Sequence, residues 1–410
     1  MSLAQHKPIK VNLENWDTSQ DTVSSHPIDL IIKPTVACNF KCTFCSSTYL
    51  SDDKQDELDL RYLARFFDHY PKTNTIIING GDPLMMSPDY YWKIIEMLDE
   101  RNMRQTTLSF TTNLWLFYKN PDKWSPLFKD RRVGVGTSFQ YGEGRLKHDL
   151  TPFTEQEFWD VSNLFLERIG YRPPFITVIS KENEDTVLKT VELAKEMDVV
   201  AKINYLNASG PAVLFKNITQ GSENEMYVQA DMYAKYIEIY EAGLMPWEYN
   251  TMQFIDKLNK NGATCPLARD CGSGIRVLQP NGAYFSCGGF GDDNKYHLSF
   301  REDMLSEAPL DPLNRQELLS MHDGCFTCPM YDICNGCKKT ISDTKRLGLV
   351  KYHCDRMHEI MDRLLEIAQI EKNKHPGSIT YNKDLRNADN KHVLNNMNNQ
   401  QLTALAHCDF

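Results

Sequence analysis

Residues 28–45 read IDLIIKPTVACNFKCTFC, an apolar run followed by Cys38, Cys42 and Cys45. The apolar run predicts a buried strand, and the three cysteines fall in the loop directly after it. A barrel of alternating strands and helices carries its chemistry in the loops that follow its strands. We therefore expect residues 38–45 to lie at the mouth of such a barrel.

Five further apolar runs continue this pattern towards the C-terminus. The expected strands are 28–35, 75–80, 107–113, 133–139, 175–180 and 199–206. Apolar residues recur at three- and four-residue steps between them, which predicts helices over 56–70, 90–102, 155–169 and 184–197. Six strands with intervening helices predict an α/β fold, a partial (β/α)6 barrel that resembles an incomplete TIM barrel.

The pattern changes past residue 210, which predicts a second unit rich in cysteine. Asn281-Gly282 between apolar runs predicts a β-hairpin over 275–287, and periodicity predicts a closing helix near 352–371. We therefore divide the chain into an N-terminal extension (1–27), the barrel (28–225), a helical linker (226–261), the cysteine-rich domain (262–371) and a tail (372–410). The asparagine-rich tail is expected to be loosely ordered or to dock.

Composition narrows the class of protein. The net charge of -10 argues against a surface that grips nucleic acid, and no apolar run is long enough to cross a membrane. The first residues lack the apolar core of a secretory signal, so we expect a cytoplasmic protein without a membrane or nucleic-acid partner. Thiols stay reduced in that compartment, which makes metal binding the leading interpretation of the twelve cysteines.

The spacing of the first three cysteines, C-x3-C-x2-C, suits an iron–sulfur cubane. Three thiolates leave one of the four irons free to take a substrate or cofactor as its ligand. A three-cysteine zinc site with a fourth ligand from elsewhere is one alternative, and buried cysteines that merely pack are another.

These cysteines, with Phe44 before the third, resemble the signature of the radical S-adenosylmethionine (SAM) superfamily. The segment Asn79-Gly80-Gly81-Asp82-Pro83 resembles the family's Gly-Gly-Glu-Pro segment, with Asp82 in place of Glu. The resemblance implies that Cys38, Cys42 and Cys45 hold a catalytic [4Fe–4S] cluster that binds SAM. The SAM contacts that it implies are Phe44, Gly80, Gly81, Asp82, Asn113, Ser138, Arg145 and Lys147.

The segment after the fourth predicted strand, residues 138–142, departs from the family's Ser-x-Asp-Gly pattern, so no role of that Asp is carried over. Several polar residues near predicted strand ends face the expected cavity, although such residues are more often structural than catalytic. These residues are Gln140, Tyr141, Lys202 and Asn204.

The later cysteines resemble the SPASM extension of radical SAM enzymes that modify peptides. By this resemblance, auxiliary [4Fe–4S] cluster I takes Cys265, Cys271, Cys287 and Cys337, and auxiliary cluster II takes Cys325, Cys328, Cys334 and Cys354. Two residues separate Cys334 from Cys337 where the usual extension has three, so Cys337 departs from the pattern. A pair of four-cysteine zinc sites fits the same count. Cys408 is left as a bystander thiol.

The resemblance implies a radical SAM oxidoreductase with three [4Fe–4S] clusters, which cleaves SAM and takes electrons from a flavodoxin or ferredoxin. Most SPASM relatives act on ribosomally made precursor peptides, which favours a maturase that crosslinks or oxidises peptide side chains. A dehydrogenase of a small alcohol or sugar is an alternative, and so is a non-catalytic zinc or electron-transfer protein. In sulfatase-maturating relatives, the cysteine that matches Cys287 is followed by an Asp that acts as the base of the oxidation. In this chain Gly288 follows Cys287, so formylglycine formation is disfavoured, although Asp292 and Asp293 lie near.

Overall fold

The structure is a computed structural model that describes residues 24, 27–45, 57–206, 227–258, 274–293, 295, 298–301, 304–308, 320–334, 337–374 and 400–401. Most of the expected N-terminal extension and tail lie outside these residues, as do Cys265, Cys271 and Cys408. Within the described chain, no helix is long and apolar enough to cross a membrane.

Eight strands of the described chain form one curled sheet. They are β1 (Ile28–Ile32), β2 (Thr73–Ile78), β3 (Thr107–Thr111), β4 (Val133–Ser138), β5 (Phe175–Ile179), β6 (Ala201–Tyr205), β7 (Ile275–Leu278) and β8 (Tyr284–Phe285). Their order is β6-β5-β4-β3-β2-β1-β7-β8, and β1 to β6 run parallel. The predicted partial barrel of six strands is therefore confirmed. β9 (Ser299–Arg301) and β10 (Met304–Ala308) pair separately.

Helices connect the strands of the barrel. They are α1 (Leu60–His69), α2 (Pro88–Glu100), α3 (Trp115–Lys119), α4 (Pro121–Phe128), α5 (Glu155–Ile169) and α6 (Val187–Glu196). The sequence predicted no helix between β3 and β4, because two prolines interrupt the apolar period there. Pro121 occupies the first turn of α4, where its missing N–H costs nothing, and Pro126 lies inside that helix.

Smaller helices follow the barrel and end in one long helix. They are α7 (Gln229–Glu241), α8 (Tyr249–Leu258), α9 (Gly288–Asp292), α10 (Tyr331–Cys334), α11 (Lys338–Arg346) and α12 (Val350–Lys374). α12 packs on α7 and α8 in an apolar cluster that also contains Cys337, while Cys328 and Cys334 contact its margin. Cys328, Cys334 and Cys337 thus lie on a compact apolar base.

The cysteine-rich region is built onto the barrel sheet. β7 pairs in parallel with β1, and β8 returns antiparallel to β7. Gly282, with φ of +81°, lets the turn pass close to Tyr62, since a Cβ at this position would lie 2.7 Å from the Tyr62 Cζ atom. The sequence predicted the hairpin but not its partner strand, because an alternating pattern does not specify what pairs with it.

The side chains on the two faces of β4 differ in size and polarity. Val133 and Val135 are fully buried in the core formed with the helices. Because side chains alternate along a strand, Gly134, Gly136 and Ser138 share the opposite, inner face of the sheet. The inner face of β4 therefore carries small side chains at these positions, whereas a closed TIM barrel fills its interior with branched ones.

The carboxylate of Glu248 lies at the β6 edge of the sheet. It is fully buried and accepts hydrogen bonds from the backbone N–H groups of Ile203 (2.8 Å), Asn250 (3.1 Å) and Thr251 (2.5 Å). One side chain thus accepts hydrogen bonds from backbone N–H groups of both the strand edge and the first turn of α8. Of the expected tail, Gln400 contacts the barrel by donating to the Phe128 carbonyl at 2.9 Å.

Candidate active site

The first three cysteines lie on the loop after β1, as the sequence predicted. This loop pairs with a second segment, since the N–H of Lys41 donates to the Leu146 carbonyl (2.8 Å) and that of Thr43 to the Gly144 carbonyl (2.9 Å). A Cβ at Gly144 would stand 2.9 Å from the Thr43 hydroxyl oxygen, so a larger residue there would require the Thr43 side chain to shift. The cysteine loop is therefore held from the β4 side of the barrel as well as by β1.

The three thiols are close enough to interact electrostatically. Burial raises the pKa of Cys42 to about 11, Arg145 opposes this rise, and the neighbouring Cys45 adds to it. Burial also raises the pKa of Cys38, with further contributions from Asp82, Cys45 and Cys42. Thiols that resist ionisation together are suited to a shared cation, because a bound metal removes this penalty.

The two glycines after β2 let their backbone touch the cysteine loop. A Cβ at Gly80 would lie 2.5 Å from the Thr35 carbonyl oxygen, and one at Gly81 would lie 2.5 Å from that of Val36. The N–H of Gly81 donates to Thr35 (3.0 Å), and the N–H of Asp82 donates to Ala37 (2.8 Å). The sequence predicted a SAM contact for both glycines, and in the structure they also position the loop before Cys38.

Asp82 is buried and links the loops after β2 and β3. Its carboxylate accepts from the Leu84 N–H (2.9 Å), the Thr112 hydroxyl (3.0 Å) and the Asn113 N–H (2.8 Å). Burial raises the pKa of Asp82 to about 6 despite these donors. The side chain of Asn113 in turn donates to Asn39 Oδ1 at 2.8 Å. The residues matched to the SAM segment thus form one hydrogen-bonded network with the cysteine loop.

Arg145 lies beside the cysteine loop, whereas Lys147 is directed elsewhere. The Arg145 guanidinium donates to the Ser138 hydroxyl (2.9 Å) and lies 5.5 Å from the centre of the Phe44 ring. Lys147 instead forms an ion pair with Glu157. Of the two basic residues that the sequence predicted as SAM contacts, Arg145 is therefore the one gathered with Phe44, Ser138 and Cys42.

Two buried polar atoms near this loop have no hydrogen-bond partner among the described residues. They are Nε of Arg145 and Oε1 of Gln140. A buried donor and a buried acceptor left open beside three thiols are what a polar cofactor would satisfy. The residues present therefore fit a group that combines an iron–sulfur cluster with a ligand bearing charged atoms.

The other predicted cavity residues are placed by strand alternation. Lys202 and Asn204 share the inner face of β6, because Ile203 and Tyr205 are buried in the apolar cluster on the other side. Tyr141 follows β4, and the Lys189 ammonium lies 3.8 Å from the centre of its ring.

Four of the later cysteines are near enough to affect one another electrostatically, and the sequence predicted these four as the ligands of auxiliary cluster II. Burial raises the pKa of Cys334 to about 12, and Cys354, Cys325 and Cys328 raise it further. We call these four residues the cluster II cysteines. The structure also places two histidines against them, neither of which the sequence marked as a site residue. Nε2 of His353 lies 2.9 Å from Cys334 Sγ, and Nε2 of His322 lies 3.5 Å from Cys354 Sγ.

Cys287 and Cys337 begin two helices that are joined by an ion pair. Cys287 precedes α9, and Cys337 precedes α11, where its sulfur accepts from the Thr340 N–H at 3.5 Å. The Lys339 ammonium of α11 lies 3.0 Å from the Asp293 carboxylate directly after α9. Their predicted partners, Cys265 and Cys271, lie outside the described residues. Within the part of the chain that is described, no three His, Cys, Asp or Glu side chains lie close enough to hold one metal ion.

A buried ion pair connects the barrel to the segment after Cys287. Lys33 directly follows β1, Asp292 ends α9, and their side chains are 4% and 2% exposed. Asp292 stood out in the sequence whereas Lys33 did not, since nothing in a sequence pairs two residues so far apart.

Comparisons with known proteins agree with this arrangement. Residues 32–194 match the family model described as the Radical SAM superfamily. The chain is 21% identical to a cysteine-type anaerobic sulfatase-maturating enzyme of Clostridium perfringens, over 83% of this chain and 98% of that enzyme.

Solved structures share the fold. Native anSMEcpe with bound AdoMet and Cp18Cys peptide matches with a TM-score of 0.58 and 17% identity, over 85% of this chain and 100% of that one. Streptococcus suis SuiB bound to precursor peptide SuiA matches with a TM-score of 0.50 and 17% identity, over 77% of this chain and 72% of that one. The cysteine loop, the Gly80-Gly81 segment and Arg145 all fall within the residues that match the family model. Residues 32–194 therefore form a radical SAM domain, and with it a site for SAM and one [4Fe–4S] cluster.

Proposed function

We propose that this chain is a radical SAM maturase that crosslinks or oxidises side chains of a ribosomally made precursor peptide. The observation that carries the proposal is the grouping of cysteines, three on the barrel loop and four more as the cluster II cysteines. Likeness along almost the whole length of a sulfatase-maturating enzyme supports a peptide or protein substrate. The small side chains on the inner face of β4 are consistent with a substrate that enters the barrel.

In this proposal Cys38, Cys42 and Cys45 ligate the catalytic cluster. Arg145, oriented by Ser138, pairs with the SAM carboxylate, and Phe44 packs beside it. Gly80 and Gly81 hold the cysteine loop in place, and their backbone borders the SAM methionine. Asp82, with both oxygens occupied by internal donors, sets the positions of the β2 and β3 loops. Asn113 extends that network towards the cysteine loop, while Lys147 contributes only through its pair with Glu157.

The reaction needs an electron from a donor, and it needs a group that accepts a hydrogen atom from the substrate. When bound, the cluster and SAM together supply a carbon radical that removes hydrogen from the substrate. We infer that the electron comes from a flavodoxin or ferredoxin. The roles of this chain are to orient the substrate and to exclude water from the barrel interior.

We infer two auxiliary [4Fe–4S] clusters as well, in a SPASM domain over residues 262–371 that follows the barrel (28–225) and a helical linker (226–261). Cluster I would take Cys265, Cys271, Cys287 and Cys337, and cluster II the cluster II cysteines. The Lys339–Asp293 ion pair supports the first set, since it joins the helices that Cys287 and Cys337 begin. Electrostatic coupling among the four thiols supports the second.

Oxidation of the sulfatase-maturating kind is the second candidate reaction. The relevant observation is Asp292, whose buried carboxylate pairs with Lys33 at the end of β1. A carboxylate held beside a strand end of the barrel can accept a proton from a substrate. Four residues separate Asp292 from Cys287, and Gly288 occupies the position where sulfatase-maturating relatives carry the Asp. Crosslinking therefore remains the leading proposal.

Three measurements on anaerobically reconstituted protein test these proposals. About 12 iron atoms per chain are expected if three cubanes form. Reduction in the presence of SAM should yield 5′-deoxyadenosine, and the triple variant C38A/C42A/C45A should yield none. A precursor peptide encoded beside this protein should then lose two hydrogens, whereas a sulfatase peptide should stay unchanged. Modification of the sulfatase peptide alone would support the second candidate and contradict the first.

A further inference from the structure

The cluster II cysteines are bordered by two imidazoles that belong to neither the SAM site nor the expected ligand set. His322 lies just before Cys325 in the chain, and His353 precedes Cys354 on α12. Both rings present Nε2 to a cysteine sulfur, at 3.5 Å from Cys354 and 2.9 Å from Cys334. Contacts to sulfur up to about 4 Å are within reach of an N–H···S hydrogen bond.

The backbone decides which nitrogen of His322 carries the proton. Nδ1 accepts a hydrogen bond from the Gly324 N–H at 3.1 Å, so it cannot itself bear the hydrogen of a neutral ring. The hydrogen of the neutral ring is therefore on Nε2, which faces Cys354. A Cβ at Gly324 would lie 2.9 Å from Cε1 of this ring, so the glycine leaves room for it. The His322 backbone N–H also lies 3.5 Å from Cys325 Sγ.

His353 is held more firmly. It is fully buried, and its backbone N–H donates to the Leu349 carbonyl at 2.9 Å in the first turn of α12. Its Nδ1 atom has no hydrogen-bond partner among the described residues. A metal-bound thiolate carries no proton and can only accept, so the 2.9 Å contact becomes a bond only when the His353 Nε2 donates.

We propose that His353 and His322 donate N–H···S hydrogen bonds to Cys334 and Cys354, and that these bonds raise the reduction potential of the auxiliary centre held by the cluster II cysteines. The inference rests on the proposed cluster II. Both histidines are positioning residues, since they act on the centre through its ligands.

The physical reason is charge. A reduced cluster holds one more negative charge than the oxidised cluster, and part of it resides on the ligand sulfurs. A hydrogen-bond donor stabilises that form more than the oxidised one, which raises the potential. The bond from His353 is buried and short, whereas His322 is exposed to water. We therefore expect His353 to have the larger effect, because a low dielectric strengthens a hydrogen bond.

The test compares reduction potentials in the full-length chain. The variants are H353L, H322L, the double variant, and H353Q, whose amide retains an N–H donor. The matched control is H358L, an exposed histidine on the same helix. Each protein is reconstituted anaerobically, assayed for iron, and titrated while the reduced clusters are followed by electron paramagnetic resonance. Parallel titrations in the C38A/C42A/C45A background remove the signal of the SAM-binding cluster.

We expect one auxiliary signal to move to more negative potential in H353L, to move less in H322L, and to move furthest in the double variant. H353Q should lie between wild type and H353L, and H358L should match wild type. Exchange into deuterated buffer should remove from wild type a proton coupling to the cluster that H353L lacks in either buffer.

Each other outcome contradicts the inference in its own way. Unchanged potentials in H353L and H322L, with full iron content, would overturn the hydrogen bonds while leaving cluster II intact. Loss of about four irons in every His353 variant, including H353Q, would make His353 a ligand and not a donor. Zinc in place of iron at the cluster II cysteines would overturn both the proposed cluster and the inference.

Discussion

Replacing Gly81 by alanine tests how the cysteine loop is positioned. The backbone of Gly81 lies against residues 35–37, and its N–H donates to the Thr35 carbonyl at 3.0 Å. An alanine Cβ would lie 2.5 Å from the Val36 carbonyl oxygen and nearer still to that of Ala37. These atoms belong to backbone and cannot turn aside as a side chain would.

The size of the effect follows from the overlap. Restoring an ordinary contact of 3.4 Å from 2.5 Å requires the cysteine loop and the β2 loop to separate by about 1 Å. Overpacking of this kind costs about 1–3 kcal/mol of folding free energy. A displacement of about 1 Å in a positioned reacting group lowers the rate by about 100-fold. We therefore expect G81A to fold with reduced stability and to form 5′-deoxyadenosine about 100-fold more slowly.

The assay measures 5′-deoxyadenosine after reduction with dithionite, together with iron content and urea unfolding. Gly274→Ala is the matched control, because nothing lies within 4 Å of a Cβ at that position. It should leave the rate and the unfolding free energy near those of wild type. A G81A protein that retains the wild-type rate would refute the view that this close approach holds Cys38 in place.

Four further substitutions probe the charges and the fold. Arg145→Met should weaken SAM binding by about 10-fold or more, as expected when a hydrogen bond to a charged group is lost. Lys147→Met should bind SAM as wild type does, and an equal loss in equilibrium dialysis would contradict the assignment. Glu248→Ala leaves three buried N–H groups without their acceptor, so urea unfolding should show a loss of about 3 kcal/mol, and a loss below about 1 kcal/mol would count against this role. Burial raises the pKa of Asp29 to about 6, so the folded state binds this proton more tightly than the unfolded state does. Its contribution to stability is therefore present below about pH 4 and is lost as the pH rises through about 6. Asp29→Asn should remove that part of the slope in urea unfolding, and an unchanged slope would show that another group causes it.

The sequence alone determined the local features of this protein. Six apolar runs and the helical periodicity between them predicted the barrel, because burial of one face is recorded in the spacing of residues along the chain. The interval between Cys38, Cys42 and Cys45 predicted the chemistry for the same reason, since all three cysteines lie on one short loop. The break in period at Pro121 and Pro126 is where this reasoning failed, and two helices were missed there.

Only the tertiary structure decided which distant residues meet. The sequence predicted the same role for the two basic residues Arg145 and Lys147, yet in the structure Arg145 contacts Ser138 and Lys147 contacts Glu157. The pairing of β7 with β1, the Lys33–Asp292 ion pair and the contact of His353 with Cys334 likewise have no signature in residue order. Each depends on how whole elements pack, and packing brings together side chains whose separation along the chain carries no information about their contact.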